Sequence, residues 1–398
     1  MATDNNNKVL NVPNLRFPEF TEVWKDSNIG KCFDLYSGNT PSRMEKKHFI
    51  GDVNWITSGE LKEHYIGDTK ERISEKAAED NNLRILPVGT FVMAIYGLEA
   101  EGVRGTCSIT VKTSTISQAC MAFTPKSNVS NEFLYSWYKK HGNKIGIRYA
   151  QGTKQQNLSY DIIEKFPIRY PSIEEQEKLN TFISLLDKRI ATQNKIIEDL
   201  KKLKVAIIEK VFSEKKCNYK IGDVISQVSI RNKSKKETNI LSVSNKWGFV
   251  EQSEQFEDRI VASEDITNYK VVRTNDFAYN PARINVGSIA RLKRYESGIV
   301  SPMYICFHSQ NALLPEYLEL FFYTLYFKHE MYKRLEGSVR LCLSFEGLTN
   351  IPIFIPEITT QREISIKVNS IETKIGIEET YLNALKDQKQ YLLKHMFI

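Results

Sequence analysis

The stretch Ser172–Phe212 reads SIEEQEKLNTFISLLDKRIATQNKIIEDLKKLKVAIIEKVF, and a related stretch, Glu357–Ile398, reads EITTQREISIKVNSIETKIGIEETYLNALKDQKQYLLKHMFI. An offset of 185 residues aligns the two copies without a gap. The pairs that match at this offset are Ser159 and Ser344, Pro167 and Pro352, Pro171 and Pro356, Gln176 and Gln361, and Phe212 and Phe397. Self-similarity at a fixed offset dictates architecture. The sequence therefore predicts two copies of one plan, a globular half followed by a long helix.

Apolar residues recur in steps of three and four along both stretches. They are Ile183, Leu186, Ile190, Ile197 and Leu200 in the first copy and Val368, Ile371, Ile375, Leu382 and Leu385 in the second. A narrow stripe with a period near 3.5 residues is typical of a coiled-coil seam. Each helix could span roughly 60 Å at about 1.5 Å per residue. The pattern predicts an antiparallel pair related by a pseudo-twofold axis; the alternative is two amphipathic helices, each packed on its own domain.

The composition is that of a soluble globular protein with more than one domain. The chain has 398 residues, of which 41% are hydrophobic and 26% charged, and its net charge of +7 permits nucleic-acid binding without requiring it. Its six cysteines have no CxxC spacing, which indicates a reducing compartment and no metal site. No signal-peptide-like segment occurs near Met1, and the apolar run around Leu86–Leu98 is too short to span a bilayer. We expect a cytoplasmic protein without membrane contact.

The order of the predicted elements repeats in the two halves. We expect a lead-in over residues 1–13, recognition domains over 14–171 and 217–356, and long helices over 172–213 and 357–398. Short β-like runs such as Gly89–Gly97 and Cys107–Val111 have counterparts in Asp276–Asn280 and Gly287–Leu292, and a helix is predicted over Asn131–His141. Most loop residues differ between the copies. Two equivalent scaffolds with different loops favour two recognition units with different targets.

The sequence argues against catalysis in this chain. Gly30-Lys31 lacks the upstream glycine loop of a Walker A motif, and no GxGxxG or GxSxG motif occurs. Asn280-Pro281-Ala282-Arg283 lacks the aromatic residue with which a methyltransferase tetrapeptide stacks a flipped base. His329-Glu330 has no second histidine at the spacing of a zinc helix.

Polar, amide-rich and basic loops occur at equivalent positions of the two halves. Amide side chains can read adenine in the major groove, a carboxylate such as that of Glu60 can accept from the cytosine amino group, and Lys and Arg can bind phosphate. The predicted DNA-binding residues are Asn39, Thr40, Arg43, Thr57, Ser58, Glu60, Lys62, Arg104, Gln151, Thr153, Lys154, Gln155, Gln156 and Asn157 in the first half, and Ser242, Ser244, Asn245, Lys246, Asn280, Arg283, Asn285, Ser338 and Arg340 in the second.

Several of these stretches resemble the specificity (S) subunit of a type I restriction–modification enzyme. They are SGNTPSR (Ser37–Arg43), VNWITSGELK (Val53–Lys62), QGTKQQNLS with PIRYPSIEEQEKL (Gln151–Leu179), and AYNPARINVGSIA (Ala278–Ala290). The succession of NLS, two prolines and EEQ before a long helix is the most specific of them. In the second copy LCLS replaces QNLS and ITTQRE replaces IEEQEK.

The resemblance implies an α+β fold: two pseudo-twofold-related α/β target recognition domains separated by an antiparallel pair of long coiled-coil helices. Each domain would read one half of a bipartite site in double-stranded DNA, and the helix length would set the gap between the halves. Two methylation (M) subunits would bring S-adenosylmethionine, and restriction (R) subunits would bring ATP hydrolysis and Mg, so this chain needs no cofactor and no metal of its own. The alternatives are a coiled-coil scaffold with two protein-binding domains and an enzyme with an unrecognised active site.

Overall fold

Short apolar runs between turn residues form the strands, because alternating side chains can cover a core on one face of a sheet. The computed structural model describes residues 11–100, 102–152, 156–213, 216–252, 265–338 and 340–398. It divides into two units: unit 1 comprises Met1–Asn194 and Tyr381–Ile398, and unit 2 comprises Lys195–Thr380. No described helix is long and apolar enough to serve as a membrane span.

Unit 1 begins with strands and ends in the long helix α5 (Ile173–Ser213), which continues into unit 2. Its elements are β1 (Lys25–Asn28), α1 (Ile29–Cys32), β2 (Phe33–Ser37), β3 (Val53–Ile56), β4 (Tyr65–Ile66), β5 (Arg72–Ile73), α2 (Glu75–Asp80), β6 (Phe91–Ala94), β7 (Cys107–Thr110), β8 (Ser114–Ile116), β9 (Cys120–Pro125), α3 (Asn131–Tyr149), α4 (Tyr160–Glu164) and β10 (Pro167–Tyr170).

Unit 2 repeats the plan and ends in the second long helix, α9 (Ile358–Met396). Its other elements are β11 (Tyr219–Lys220), β12 (Ile225–Val228), β13 (Ile240–Ser244), β14 (Gly248–Glu251), β15 (Lys270–Arg273), β16 (Phe277–Tyr279), β17 (Ile289–Arg291), β18 (Ser297–Val300), β19 (Ile305–Ser309), α6 (Pro315–Phe322), α7 (Leu325–Tyr332), α8 (Phe345–Thr349) and β20 (Pro352–Ile353).

The strand order within each unit confirms the duplicated plan. One sheet runs β2-β9-β6-β7 in unit 1 and β12-β19-β16-β17 in unit 2. The parallel pair β3/β8 has its counterpart in β13/β18, and the antiparallel pair β1/β10 in β11/β20. Antiparallel edge strands also correspond, since β5 lies beside β3 and β14 beside β13. The units differ at the remaining sheet edges, where unit 1 adds β4 beside β7 and unit 2 adds β15 beside β18. The shared strands therefore carry the fold, and the edge elements distinguish the units.

Two sequence expectations differ from the structure. Helix α3 does not end near His141 but continues through Gly142 and Gly146 to Tyr149. Glycine disfavours a helix only mildly, by about 1 kcal/mol. Gly146 also leaves room for the aliphatic part of Arg104, which a Cβ there would meet at 2.4 Å.

The second difference concerns the loose lead-in predicted over residues 1–13. Residues 1–10 lie outside the described part of the chain, but residues 11–13 are docked in unit 1. The backbone N–H of Trp24 donates to the carbonyl of Asn11 at 2.9 Å, and Pro13 is buried. Three residues on, Arg16 forms a two-pronged ion pair with Glu175 at the start of α5, at 2.8 and 2.6 Å.

The long helices pair within each unit. In unit 1, Asp187 of α5 forms an ion pair with Lys389 of α9. In unit 2, Lys201 pairs with Glu379 at 2.6 Å. Further along α5, Lys204 pairs with Glu372. From Asp187 to Lys204 the residue numbers rise along α5, while the residue numbers of their partners on α9 fall from 389 to 372. The pairing is therefore antiparallel. All ten predicted seam residues are buried or partly buried.

The ends of the long helices also pack into the domain cores. The helices therefore both pair with each other and pack on the domains. Phe212, near the end of α5, lies 5.0 Å from Tyr317 and 5.3 Å from Phe321 in unit 2. Phe397, just after α9, lies 5.4 Å from Phe133 in unit 1. The repeat places Phe212 and Phe397 at equivalent positions, and the structure gives them equivalent aromatic partners.

A buried glutamine at the start of each long helix makes the same three hydrogen bonds in both units. Gln176 accepts from the N–H of Ser130 at 3.0 Å and donates to the carbonyls of Asn128 and Pro171. Gln361 accepts from the N–H of Leu314 at 2.8 Å and donates to the carbonyls of Ala312 and Pro356. Each amide joins the start of a long helix to the loop before a domain helix. A buried amide with all its bonds made specifies one arrangement, because an unpaired one is costly.

His64 joins the strand-containing part of unit 1 to α5. Its ring is stacked between Tyr65 and Tyr135, with centroids 4.1 and 3.8 Å away. Its Nε2 lies 2.9 Å from Glu132, and its Nδ1 lies 3.6 Å from Asp187. Burial lowers the pKa of His64, but the bonds to Asp187 and Glu132 outweigh burial and raise the pKa above its ordinary value.

This raised pKa predicts a pH-dependent stability of unit 1. A raised folded-state pKa gives stabilisation that is complete below the unfolded pKa and is lost as the pH rises through the folded-state value. We expect His64→Gln to lower the free energy of unfolding most near about pH 5.5, and progressively less towards about pH 8.5. Denaturant titrations of both chains across this range measure the difference. A difference that stays constant with pH would show that the imidazolium makes no net contribution.

Candidate nucleic-acid interface

The loop end of the β13–β14 hairpin of unit 2 contains three of the predicted residues, Ser244, Asn245 and Lys246. Its strands pair up to Ser244 opposite Gly248, which leaves Asn245, Lys246 and Trp247 as the loop. The Ser244 hydroxyl accepts from the N–H groups of Lys246 and Trp247 at 3.2 and 3.3 Å. Gly248 has a φ of 68°, the left-handed conformation that ends a three-residue hairpin loop. Ser244, predicted as a base contact, therefore shapes the loop, and Asn245 and Lys246 are exposed at its tip.

A cleft of about 400 Å³ lies beside this hairpin and brings predicted residues together. Its lining includes Ser242, Ser244, Asn245, Asn280 and Arg283. These residues come from β13, the hairpin loop and the turn after β16. That turn is fixed to β13, because the Ser288 hydroxyl donates to the carbonyl of Val243 at 3.1 Å. The cleft therefore combines hydroxyl, amide and guanidinium groups on one rigid surface.

Within the cleft, the side chains differ in how freely they can reach a ligand. Asn280 is 6% exposed, and its Oδ1 accepts from the N–H of Ala282 at 3.1 Å, so it stabilises its own turn. Arg283 is exposed. Asn285, which belongs to the short 3₁₀ turn Ile284–Val286, is half-buried and does not line the cleft. Arg283 is thus the best placed of the three to bind an anion.

A second cleft, of about 690 Å³, also borders the hairpin loop and shares Ser244 and Asn245 with the first. Lys246, Trp247, Arg291, Lys293 and Arg294 are among its lining residues. The guanidinium of Arg291 is engaged internally, with hydrogen bonds to Asn275, Glu316 and Glu319 at 2.7, 2.5 and 3.0 Å. Lys293 shares Glu319 with it at 2.8 Å. Trp247 is not among the residues predicted from the sequence, although an aromatic residue in the turn SNKWG between two apolar runs is a visible signal.

Two predicted residues of unit 2 lie apart from both clefts. Ser338 and Arg340 are exposed in the turn that the bridge between Glu336 and Cys342 closes. Gly337 has a φ of 117° there, and a Cβ would come within 2.4 Å of the Arg340 carbonyl. The turn therefore requires glycine at position 337. Ser338 and Arg340 stay predicted DNA contacts, separate from the two clefts.

In unit 1 the loop after β2 is held by its own polar groups. The Asn39 side chain accepts from the N–H of Thr40 at 2.8 Å and donates to the carbonyl of Asn81 at 3.2 Å. Arg43 forms a two-pronged bond to Glu71, at 2.5 and 2.8 Å, and this bond lowers the pKa of the Glu71 carboxyl. The Arg43 side chain remains 58% exposed, so its outer face is accessible to a ligand.

Glu60 has a structural role in the turn after β3. One carboxylate oxygen accepts from the N–H and hydroxyl of Thr57, at 2.9 and 2.8 Å, and the other accepts from the N–H of Lys70 at 2.7 Å. Base reading by Glu60 would need its remaining lone pairs, and it stays a prediction. Ser58 is half-buried in the same turn, and Lys62 follows it in an exposed position.

The amide-rich loop of unit 1 is closed at its base by backbone hydrogen bonds between Gln151 and Asn157, both 2.9 Å long. Gln156 accepts from the Arg104 guanidinium at 2.8 Å, which brings two predicted residues together. The Gln156 N–H donates to Glu99 at 2.7 Å and lowers the pKa of that carboxyl. Three predicted residues, Thr153, Lys154 and Gln155, lie outside the described residues. The described residues contain no cluster of three or more His, Cys, Asp or Glu side chains that could hold a metal ion.

Comparison with known proteins finds a family domain in the first half of the chain. The family described as the type I restriction modification DNA specificity domain matches residues 21–202. The type I restriction enzyme MjaIX specificity subunit of Methanocaldococcus jannaschii is 29% identical over 201 residues, which cover 50% of this chain and 45% of that protein. The MjaVIII specificity subunit of the same organism is 22% identical, over 50% of this chain and 44% of its own length. The matched part thus spans less than half of these relatives.

Solved structures agree with the fold over a larger part of the chain. The S subunit of a type I restriction-modification system from M. genitalium superposes with a TM-score of 0.58 at 15% identity, over 97% of this chain and 99% of its own. A chain from a study of complex assembly and conformational transition of the type I R-M system gives a TM-score of 0.57 at 15% identity, over 93% and 96%. At such identity the likeness shows the fold alone. Residues 21–202 thus match a type I restriction modification DNA specificity domain, and the chain is similar to type I restriction-modification specificity subunits in sequence over half of its length and in fold over nearly all of it.

Proposed function

We propose that the chain is the non-catalytic recognition subunit of a type I restriction–modification system and reads a bipartite DNA target, one half per unit. The recognition domains would be 14–171 and 217–356, and the spacer helices 172–213 and 357–398. The observation that carries the proposal is the duplication: the two units share the order of their central strands, but the loops with the predicted polar residues differ in sequence. Two domains that bind different half-sites need this combination of a common fold and different binding surfaces.

The chemistry of the described surfaces supports DNA as the ligand. Exposed Lys246 and Arg283 suit phosphate or guanine, and Asn245 suits adenine. In unit 1, Arg43 and Lys62 are exposed beside hydroxyl-bearing turns. The chain would act in the cytoplasm, where the DNA is accessible.

The outer faces of the long helices support the docking of protein partners. Leu185, Val205, Ile366 and Ile377 are large apolar residues on α5 and α9 that stay more than half exposed. A series of such residues on one element favours a protein interface. We propose that two methylation subunits bind along these helices and supply S-adenosylmethionine chemistry, while restriction subunits supply ATP- and Mg-dependent steps.

Methylation sequencing of DNA from cells tests the proposal. The cells express the neighbouring methyltransferase subunit with or without this chain. We expect N6-methyladenine at a split motif with a fixed gap, only when this chain is present. In a chimera whose residues 217–355 come from a relative, one half of the motif should change and the other should stay.

Two outcomes would contradict the proposal. If no split motif appears although the methyltransferase subunit co-purifies with this chain, the coiled-coil scaffold becomes the better interpretation. If the chimera changes both halves of the motif, the assignment of one half to each unit is wrong. The wild-type chain and a chimera of two identical halves serve as references.

A further inference from the structure

Trp247 at the tip of the β13–β14 hairpin is the least buried tryptophan of the chain. Its side chain is 71% exposed, whereas Trp24, Trp55 and Trp137 are 2%, 2% and 5% exposed. Single exposed apolar residues are common and need no explanation. Here, however, Val286 and Met303 line the adjacent cleft and are 52% and 55% exposed. Three exposed, large apolar side chains therefore line the two clefts, Trp247 in the larger one and Val286 and Met303 in the smaller one.

The indole is presented on a rigid loop. The Ser244 hydroxyl accepts from the backbone N–H of Trp247 itself, and Gly248 closes the turn in the left-handed conformation. The loop also lies against the neighbouring turn, because a Cβ on Gly287 would be 3.7 Å from the Cβ of Asn245. A loop backbone held in this way loses little conformational freedom when the loop binds a ligand, which favours a role in recognition.

The charges around Trp247 favour nucleic acid over a protein partner. The Lys246 ammonium lies 4.6 Å from the centroid of the Trp247 ring. Arg283 lines one adjacent cleft, and Lys293 and Arg294 line the other. The acidic side chain in the second cleft, Glu319, is already bonded to Arg291 and Lys293. An aromatic face beside cations matches the combination of base stacking and phosphate binding in nucleic-acid sites.

We propose that Trp247 is a base-contacting side chain of unit 2, whose indole inserts at a base step of the DNA half-site while Lys246 binds the adjacent phosphate. Apolar wedges of this kind partly unstack a step and bend the duplex, so the cost depends on the sequence of that step. Trp247 would thereby contribute to which half-site unit 2 accepts. The inference rests on the proposed function and adds to it one residue that contacts the bases of a half-site.

Intrinsic fluorescence gives a direct test, because the other three tryptophans are buried. The purified full-length chain is titrated with a short fluorescein-labelled duplex that carries the motif found by methylation sequencing. Binding is followed by fluorescein anisotropy and, with unlabelled duplex, by tryptophan emission. We expect the duplex to quench the emission and to protect it from acrylamide, and we expect the Trp247→Phe chain to lose this response.

Substitution tests the energetic role. Base–aromatic stacking of typical strength implies that Trp247→Ala weakens binding by about tenfold or more. Trp247→Phe keeps a stacking ring and should retain most of the affinity. Tyr219→Ala removes an exposed aromatic residue that lines neither cleft, and it should leave binding unchanged. In cells, Trp247→Ala should lower the methylated fraction of the motif, and an unchanged melting temperature would exclude misfolding.

The outcomes separate this inference from the proposed function. If wild type methylates a split motif but Trp247→Ala binds and methylates equally well, the inference is overturned and the proposed function stands. If Trp247→Ala binds DNA normally but no longer binds the methyltransferase subunit, the indole contacts protein, and the inference is likewise overturned. If the wild-type chain directs no methylation, both fall together.

Discussion

Deleting one heptad from each long helix is expected to shorten the gap in the target by about three base pairs. The equivalent heptads are residues 193–199 of α5 and 378–384 of α9, which the offset of 185 relates. Seven residues fewer shorten a helix by about 10 Å, at about 1.5 Å per residue, and one base pair advances the duplex by about 3.4 Å. A heptad is also two turns of the 3.5-residue seam, so the apolar stripe stays in phase.

Methylation sequencing with the shortened chain measures the gap directly, and the two half-sites themselves should be unchanged. A deletion of residues 193–196 alone is the matched control. It rotates the rest of α5 by about 40° beyond a full turn and moves Leu200 out of the seam, so we expect loss of assembly rather than a new gap. If the paired heptad deletion methylates the original motif with its original gap, the helices do not set the spacing.

Replacing Phe397 by alanine is expected to lower the free energy of unfolding of unit 1 by about 3–5 kcal/mol, the usual effect of removing a buried phenylalanine. Phe397 is 2% exposed and lies against Phe133, whose ring is 5.7 Å from Trp24. The carbonyl of Phe397 also accepts from the Lys140 ammonium at 2.5 Å. The side chain thus completes an aromatic cluster, and its loss leaves a cavity that rigid neighbours cannot fill.

Denaturant unfolding followed by tryptophan fluorescence measures this effect, because Trp24 lies in the same cluster. Tyr391→Ala is the control: this side chain lies in the last turns of α9, six residues before Phe397, but is 59% exposed, and its removal should change the free energy of unfolding by less than about 0.5 kcal/mol. Phe212→Ala should have a similarly large effect on unit 2, since Phe212 is 4% exposed between Tyr317 and Phe321. A loss below about 1 kcal/mol for Phe397→Ala would mean that the end of α9 is not a fixed part of the core.

The duplication allowed much of the fold to be predicted from the sequence. The matches of Gln176 with Gln361 and of Phe212 with Phe397 correspond to equivalent hydrogen bonds and equivalent aromatic contacts. The seam of the long helices was also predictable, because helical periodicity appears in the sequence as apolar residues three and four positions apart. The end of α3 was not readable, since the fit of Gly146 against Arg104 depends on a residue from another element.

The candidate site was predicted as a set of loops, but the roles of its residues were not. Asn245, Lys246 and Arg283 are exposed and stay predicted contacts, whereas Ser244 shapes the hairpin loop and Trp247 was not among the predicted residues. In unit 1, the carboxylate of Glu60 is engaged with the N–H of Lys70. A residue type shows which bonds a side chain can make, but not which of them the fold already satisfies.

The sequence by itself determined the two-copy plan, the two long helices and the loops that carry polar groups, because these depend on local periodicity and on internal repetition. Only the tertiary structure decided which side chains remain available to a ligand. Arg43 meets Glu71 and Arg291 meets Glu319 across 28 residues of chain in each case. Such partners are brought together by packing between elements, and no pattern among neighbouring residues records them.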